Sequence, residues 1–145
     1  MASRRASERE SVAPGSAAPS GASAEKLLER VPPYDESAEA GVLGSMLMDA
    51  RAADVAIEEL KPEDFYLPRH RVIFSVFSQL FQKHENIDEL YLCSELERQG
   101  MLDTAGGRDA IGRLILQTPT AANVESYCTV VRGRAIEREL IATAG

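Results

Sequence analysis

Residues 62–74, which read Pro-Glu-Asp-Phe-Tyr-Leu-Pro-Arg-His-Arg-Val-Ile-Phe, constrain the fold more than any other segment. Lys61-Pro62 ends a helix, because the residue before a proline is disfavoured in the α region. Phe65 and Tyr66 are predicted to be a buried pair, and Pro68 suits the first turn of the next helix. That helix carries a continuous apolar stripe at helical spacing: Val72, Ile73, Val76, Phe77, Leu80 and Phe81. The segment therefore predicts two helices that meet at a corner plugged by aromatic side chains.

Helical signals also occur on both sides of this corner. Asp35 is a good N-cap, with Glu36 and Glu39 in a first turn that the helix dipole favours. We find no alternation typical of strands and no internal repeat. The sequence predicts an all-α fold, a compact bundle of about five helices. Besides the helix at Pro68, these are Asp35 to Asp49, Ala52 to Leu60, Asp88 to a stop at Gly100, and a short helix from the Gly106-Gly107 turn to Pro119.

A long final helix is predicted from Ala121 to Ala144, since this segment has no internal proline. Its apolar residues are Val124, Tyr127, Val131, Ile136 and Leu140. An exposed helix of this kind usually needs a partner to bury its stripe. Gly133 lies in its middle, at a cost of about 1 kcal/mol relative to Ala.

The N-terminal residues differ in composition from the rest of the chain. Residues 1–24 are Ala, Ser, Gly, Pro and Arg with almost no large apolar side chain, which predicts disorder. Residues 25–30 could add one helical turn. We therefore expect a disordered tail over 1–31, a globular head over 32–120, and a separate helix over 121–145. With no apolar run of membrane-spanning length and no secretory signal, the expected location is the cytoplasm.

The charge balance points to protein partners. The net charge is −7, and residues 1–31 hold five bases and four acids, so the remaining residues hold 11 bases and 19 acids. Affinity for nucleic acid depends largely on Lys and Arg neutralising phosphates. We therefore expect neither direct DNA binding nor membrane binding.

No catalytic, cofactor or metal site can be assigned from the sequence. A phosphate-binding Gly-x-x-x-x-Gly-Lys-[Ser/Thr] motif is missing, and Gly106-Gly107-Arg108 lacks the lysine. His70 could act as an acid–base group with Glu63 or Asp64, but a hydrogen bond to the preceding turn is favoured. His84 is expected to be solvated. Cys93 and Cys128 are expected to be reduced core thiols.

An ordered series of short motifs resembles the N-terminal domain of the bacterial replicative hexameric DNA helicase, the DnaB type. The series opens with Pro32-Pro33 and Val42-Leu43-Gly44 and closes with Val131-Arg132. Its structural signature is Phe65, Tyr66, Pro68, His70, Arg71, Gly106, Gly107, Pro119 and Asn123. Ser37, Tyr91 and Ala110 depart from the family pattern, and these departures concern partner contacts more than the fold.

The resemblance implies an interaction domain that forms a collar on the helicase ring. It implies that the final helix is the first arm of a helical hairpin, truncated here, and that the ATPase motor, with its ATP and magnesium, lies outside this chain. It also implies self-association and docking of the primase C-terminal domain or a helicase loader. The predicted partner-binding residues are Tyr127, Ile136, Leu140 and Ile141. The alternative is a free-standing regulator or scaffold that binds the full-length helicase.

Overall fold

The computed structural model describes residues 31–84 and 86–144. The chain divides into two units, Met1–Pro33 and Tyr34–Gly145. Only Val31, Pro32 and Pro33 are described in the first unit, and these three form no helix or strand. The disordered tail predicted over 1–31 therefore lies outside the described residues, except for Val31. The possible helical turn at residues 25–30 lies outside them entirely.

The second unit is all-helical over its described residues, as predicted. It contains six α-helices and two single 3-10 turns, Pro62–Asp64 and Ala121–Asn123. The helices are α1 (Glu36–Met48), α2 (Ala50–Glu59), α3 (Pro68–Phe81), α4 (Glu89–Arg98), α5 (Gly107–Leu116) and α6 (Val124–Ala144). The predicted start of the last helix is wrong by three residues, because Thr120 caps a 3-10 turn before α6 begins.

Side-chain caps explain where α1, α2 and α4 begin. Asp35 accepts a hydrogen bond from Ala38 N at 2.9 Å, and Asp88 accepts one from Tyr91 N at 2.8 Å. Asp49 ends α1 and also caps α2 by accepting from Arg51 N at 3.0 Å. The predicted start of the second helix at Ala52 is therefore wrong, since Asp49 starts that helix at Ala50.

Helix α1 is the centre of the fold. It contacts α2, α3, α5 and α6, and all nine residues from Ala38 to Met46 are buried. A helix buried on every side needs small residues where its neighbours approach closely, and α1 supplies Gly41 and Gly44. Among its buried residues is one carboxylate, Glu39, which positions the corner described below.

Helix α6 packs against α1 and α2 within the same compact unit. Its buried residues Val124, Cys128, Val131 and Ala135 recur every three or four positions, so they form one helix face. The border between a head and a separate final helix stays a prediction. In the structure, the first half of α6 belongs to the packed core.

Candidate functional site

A buried carboxylate holds the corner between the 3-10 turn at Pro62–Asp64 and α3. Glu39 is 1% exposed and accepts hydrogen bonds from Tyr66 N at 2.6 Å and Leu67 N at 3.4 Å. It also pairs with His70 Nδ1 at 2.7 Å. Among the described residues, these two N–H groups have no backbone acceptor, and their hydrogen bonds go to the Glu39 side chain of α1. Because buried polar groups must be paired, Glu39 fixes the path of residues 65–67.

His70 occupies the position where α3 begins, and its side chain is 2% exposed. The sequence predicted that it bonds the preceding turn. Its imidazole instead bonds Glu39, and Glu39 bonds that segment, so the role of ordering the corner belongs to the pair. Arg71 adds a direct contact, since its Nε donates to Phe65 O at 2.6 Å.

The two aromatic residues of the corner have different environments. Phe65 is fully buried against Phe74, with ring centroids 4.9 Å apart. Tyr66 is only half-buried and stacks on Tyr34, with centroids 4.5 Å apart. The prediction of a buried pair is therefore wrong for Tyr66, which forms the outer wall of the corner.

Two arginines of α6 fasten that helix to the corner. Arg132 Nη1 lies 3.3 Å from Asp64 Oδ1, and Arg138 Nη2 donates to Asp64 O at 2.7 Å. The Arg138 guanidinium also lies over the Tyr66 ring, 5.4 Å from its centroid, in a cation–π contact. Asp64 is itself held by Lys61 N, which donates to its Oδ2 at 2.9 Å. The signature corner thus sets where the middle of α6 lies.

The four predicted partner-binding residues fall into two groups. Tyr127 is half-buried against Gly41, where a Cβ would come within 2.8 Å of its ring. Ile136, Leu140 and Ile141 are 42%, 65% and 46% exposed. These three form the apolar patch on the second half of α6, called the distal patch below. Tyr127 faces the protein interior, so it differs from the other three.

The remaining signature residues lie at turns and helix ends. Gly106 and Gly107 have φ of 98° and 85°, in the left-handed region that favours glycine. Pro68 is the first residue of α3, while Pro119 and Asn123 lie in the break between α5 and α6. These positions determine the chain path and bring no reactive groups together.

Both cysteines are free and buried, as predicted. Burial, which is the largest cause, and the nearby Glu59 and Glu125 together raise the pKa of the Cys128 thiol to about 12. Burial also raises the pKa of Cys93. Both thiols therefore stay protonated and weakly nucleophilic at neutral pH. His84 is exposed, with its ring 5.4 Å from that of Tyr91.

Within residues 31–84 and 86–144, no group of His, Cys, Asp or Glu is placed to hold a metal ion. The same residues include no helix that is both long and apolar enough to cross a bilayer. The described unit therefore contains a corner held by hydrogen bonds, a helix, α6, that is bonded to this corner through Arg132 and Arg138, and the distal patch on the second half of α6.

A family model described as "DnaB-like helicase N terminal domain" matches residues 31–133. The chain belongs to this family. The matched residues include the corner and its two buried partners, Glu39 of α1 and His70 of α3. The match extends into α6 as far as Gly133.

Curated relatives and a solved structure agree with this assignment. The chain is 38% identical over 120 residues to the replicative DNA helicase DnaB of Geobacillus stearothermophilus, covering 83% of the chain and 26% of that relative. It is 34% identical over 113 residues to DnaB of Leifsonia xyli subsp. xyli (strain CTCB07), covering 78% of the chain and 25% of the relative. The chain thus spans about a quarter of the length of these DnaB relatives.

The structural match is to the crystal structure of the N-terminal domain of DnaB helicase from Mycobacterium tuberculosis. The TM-score is 0.75 at 36% identity, and the match covers 78% of this chain and 82% of that one. The helical architecture is therefore that of a DnaB N-terminal domain.

The sequence did not reveal the burial of Glu39, although its place in the run Ala38-Glu39-Ala40-Gly41-Val42 was a usable signal.

Proposed function

We propose that this chain is a protein-interaction domain acting in DNA replication. It associates with other copies of itself and docks primase or a helicase loader, and it performs no catalysis itself. The observation that carries the proposal is the distal patch: an apolar surface of three large side chains, in a chain that belongs to the DnaB-like N-terminal family. ATP, magnesium and strand separation belong, in this proposal, to a motor domain like that of the full-length relatives.

The position of the distal patch supports self-association. Ile136 and Leu140 lie at i and i+4, so they share one face of α6, and Ile141 borders that face as the residue after Leu140. Burying a side chain of this size contributes about 1.5–3 kcal/mol. Pairing two copies of α6 would bury the patch of each copy against the other, which favours a dimer over a solvated monomer.

The proposal predicts that the chain dimerises reversibly and that Leu140→Gln weakens the dimer. Sedimentation velocity over a wide concentration range measures this. Leu90→Gln is a matched control, because Leu90 on α4 is 67% exposed and Leu140 is 65% exposed. We expect Leu90→Gln to behave as the unmodified chain. A chain that stays monomeric throughout, or equal effects of both substitutions, would contradict self-association through the distal patch.

A further inference from the structure

The second half of α6 extends beyond the packed core. Ala135 is the last buried residue of the helix, and over residues 136–143, called the distal segment below, only Arg138 is partly buried. A helical segment of this length that packs against nothing is marginal in water and frays. The distal patch lies in this segment, so the patch keeps its shape only if something holds the segment helical.

Arg138 attaches the distal segment to the corner. Its guanidinium donates to Asp64 O at 2.7 Å and lies 5.4 Å from the centroid of the Tyr66 ring. That ring is held in turn by stacking on Tyr34, with centroids 4.5 Å apart. Among the described residues of the distal segment, no other side chain forms a hydrogen bond, ion pair or ring contact with a described residue outside α6. Arg138 is therefore the polar anchor of this segment.

Arg138 and the distal patch lie on different sides of α6. Ile136 and Leu140 each stand two positions from Arg138, about 200° around the helix, so they face away from the corner. This explains why they are 42% and 65% exposed although Arg138 is partly buried. The anchor thus holds the backbone of the segment from one side and leaves the apolar side chains open to a partner.

We infer that Arg138, through Asp64 and the Tyr66 ring, is the positioning residue for the distal patch. The inference rests on the proposed self-association, because it states what prepares the patch for a second copy of the chain. A segment that is already helical avoids the ordering cost that a frayed segment incurs on binding. Loss of the anchor should therefore weaken the dimer although no patch residue is changed.

Amide hydrogen exchange of residues 137–143 tests the anchor directly, at a chain concentration low enough for the monomer to predominate. Arg138→Ala should speed this exchange by about tenfold, because a hydrogen bond from a charged group is lost. Arg134→Ala is the matched control, since it removes the same charge from the same helix and breaks only the pair with Glu137 inside α6. It should change exchange by less than about twofold. Ala is a better helix former than Arg, so helix propensity alone predicts slower exchange in both variants.

Two further variants show whether the corner is the support. Tyr66→Leu keeps an apolar side chain at the corner but removes the aromatic face under the guanidinium, so exchange in the distal segment should become faster by about two- to fivefold. Arg138→Lys keeps the charge and a donor, so it should restore part of the protection that Arg138→Ala loses. No effect of Tyr66→Leu on the distal segment would show that the corner does not support it.

Sedimentation velocity then links the anchor to self-association. If half of the distal segments were frayed, the dimer would weaken by about fourfold, since both copies must be helical to pair. We expect a loss of this size in Arg138→Ala and none in Arg134→Ala. Unchanged exchange in Arg138→Ala, or faster exchange with an unchanged dimer constant, would overturn the inference. A chain that never dimerises would refute the proposed self-association instead, and the exchange rates would still decide whether Arg138 holds the segment.

Discussion

Replacing Glu39 by Ala should lower the free energy of unfolding by about 3 kcal/mol or more, because a buried polar network loses its only acceptor. The substitution leaves Tyr66 N, Leu67 N and His70 Nδ1 without the partner that now lies 2.6, 3.4 and 2.7 Å away. Water cannot readily replace it at a side chain that is 1% exposed. Urea unfolding followed by circular dichroism measures the loss.

Two further variants distinguish the loss of the Glu39 hydrogen-bond network from the loss of a carboxylate alone. Glu36→Ala removes a carboxylate from the same helix, but Glu36 is exposed and its pair with Arg69 is a surface ion pair, worth about 1 kcal/mol at most. Glu39→Gln keeps the side-chain shape and an oxygen acceptor, so its loss should lie between the two. If Glu39→Ala unfolded as easily as Glu36→Ala, the network would not hold the corner.

Gly44→Ala should also destabilise the fold, by about 3 kcal/mol, because α1 has no room for a methyl group there. A Cβ on Gly44 would overlap Thr118 Oγ1 and lie 2.5 Å from the Leu114 carbonyl oxygen. Thr118 is held by its own bond to Leu114 O at 2.8 Å, and the carbonyl belongs to the backbone of α5. The carbonyl cannot move without shifting α5, and the Thr118 hydroxyl can turn away only by losing its hydrogen bond. The free energy of unfolding in urea again gives the result.

Gly133→Ala is the matched control for that substitution. Gly133 is also helical, but a Cβ there would meet nothing within 4 Å. The change should raise the free energy of unfolding by up to about 1 kcal/mol, since Ala is the better helix former. Equal effects of the two substitutions would mean that helix propensity, and not the close approach of α5 to α1, decides the outcome at Gly44.

Much of the fold could be predicted because its signals are local. The caps Asp35 and Asp88 are chemical features of a few adjacent residues, and Gly100 does have a φ of 74°. The apolar stripe of α3 likewise identifies its buried face. These signals determine where helices begin and end and which side of each is apolar. They contain little information about which helix packs against which.

The partners of Glu39 and the orientation of Tyr127 could not be predicted from the local sequence pattern. A glutamate in a first helical turn is usually solvated and favoured by the dipole, so its partner 31 residues away is visible only in three dimensions. Tyr127 was grouped with Ile136 and Leu140 as one stripe. It packs instead on Gly41, because the small residues of α1 let α6 approach at that end. The same limit applies to Arg132 and Arg138, whose contacts with Asp64 span 68 and 74 residues.

The most direct test of the interaction-domain account is titration calorimetry of this chain with the C-terminal helical domain of primase from the same organism, at moderate salt. We predict saturable binding that Ile141→Ala weakens by about tenfold, since truncating a buried apolar anchor removes more than 1 kcal/mol. Leu90→Ala, which truncates a still more accessible apolar side chain on α4 (67% exposed, against 46% for Ile141), should leave the affinity unchanged. Absence of binding to primase, together with absence of co-elution with the full-length helicase, would contradict the account.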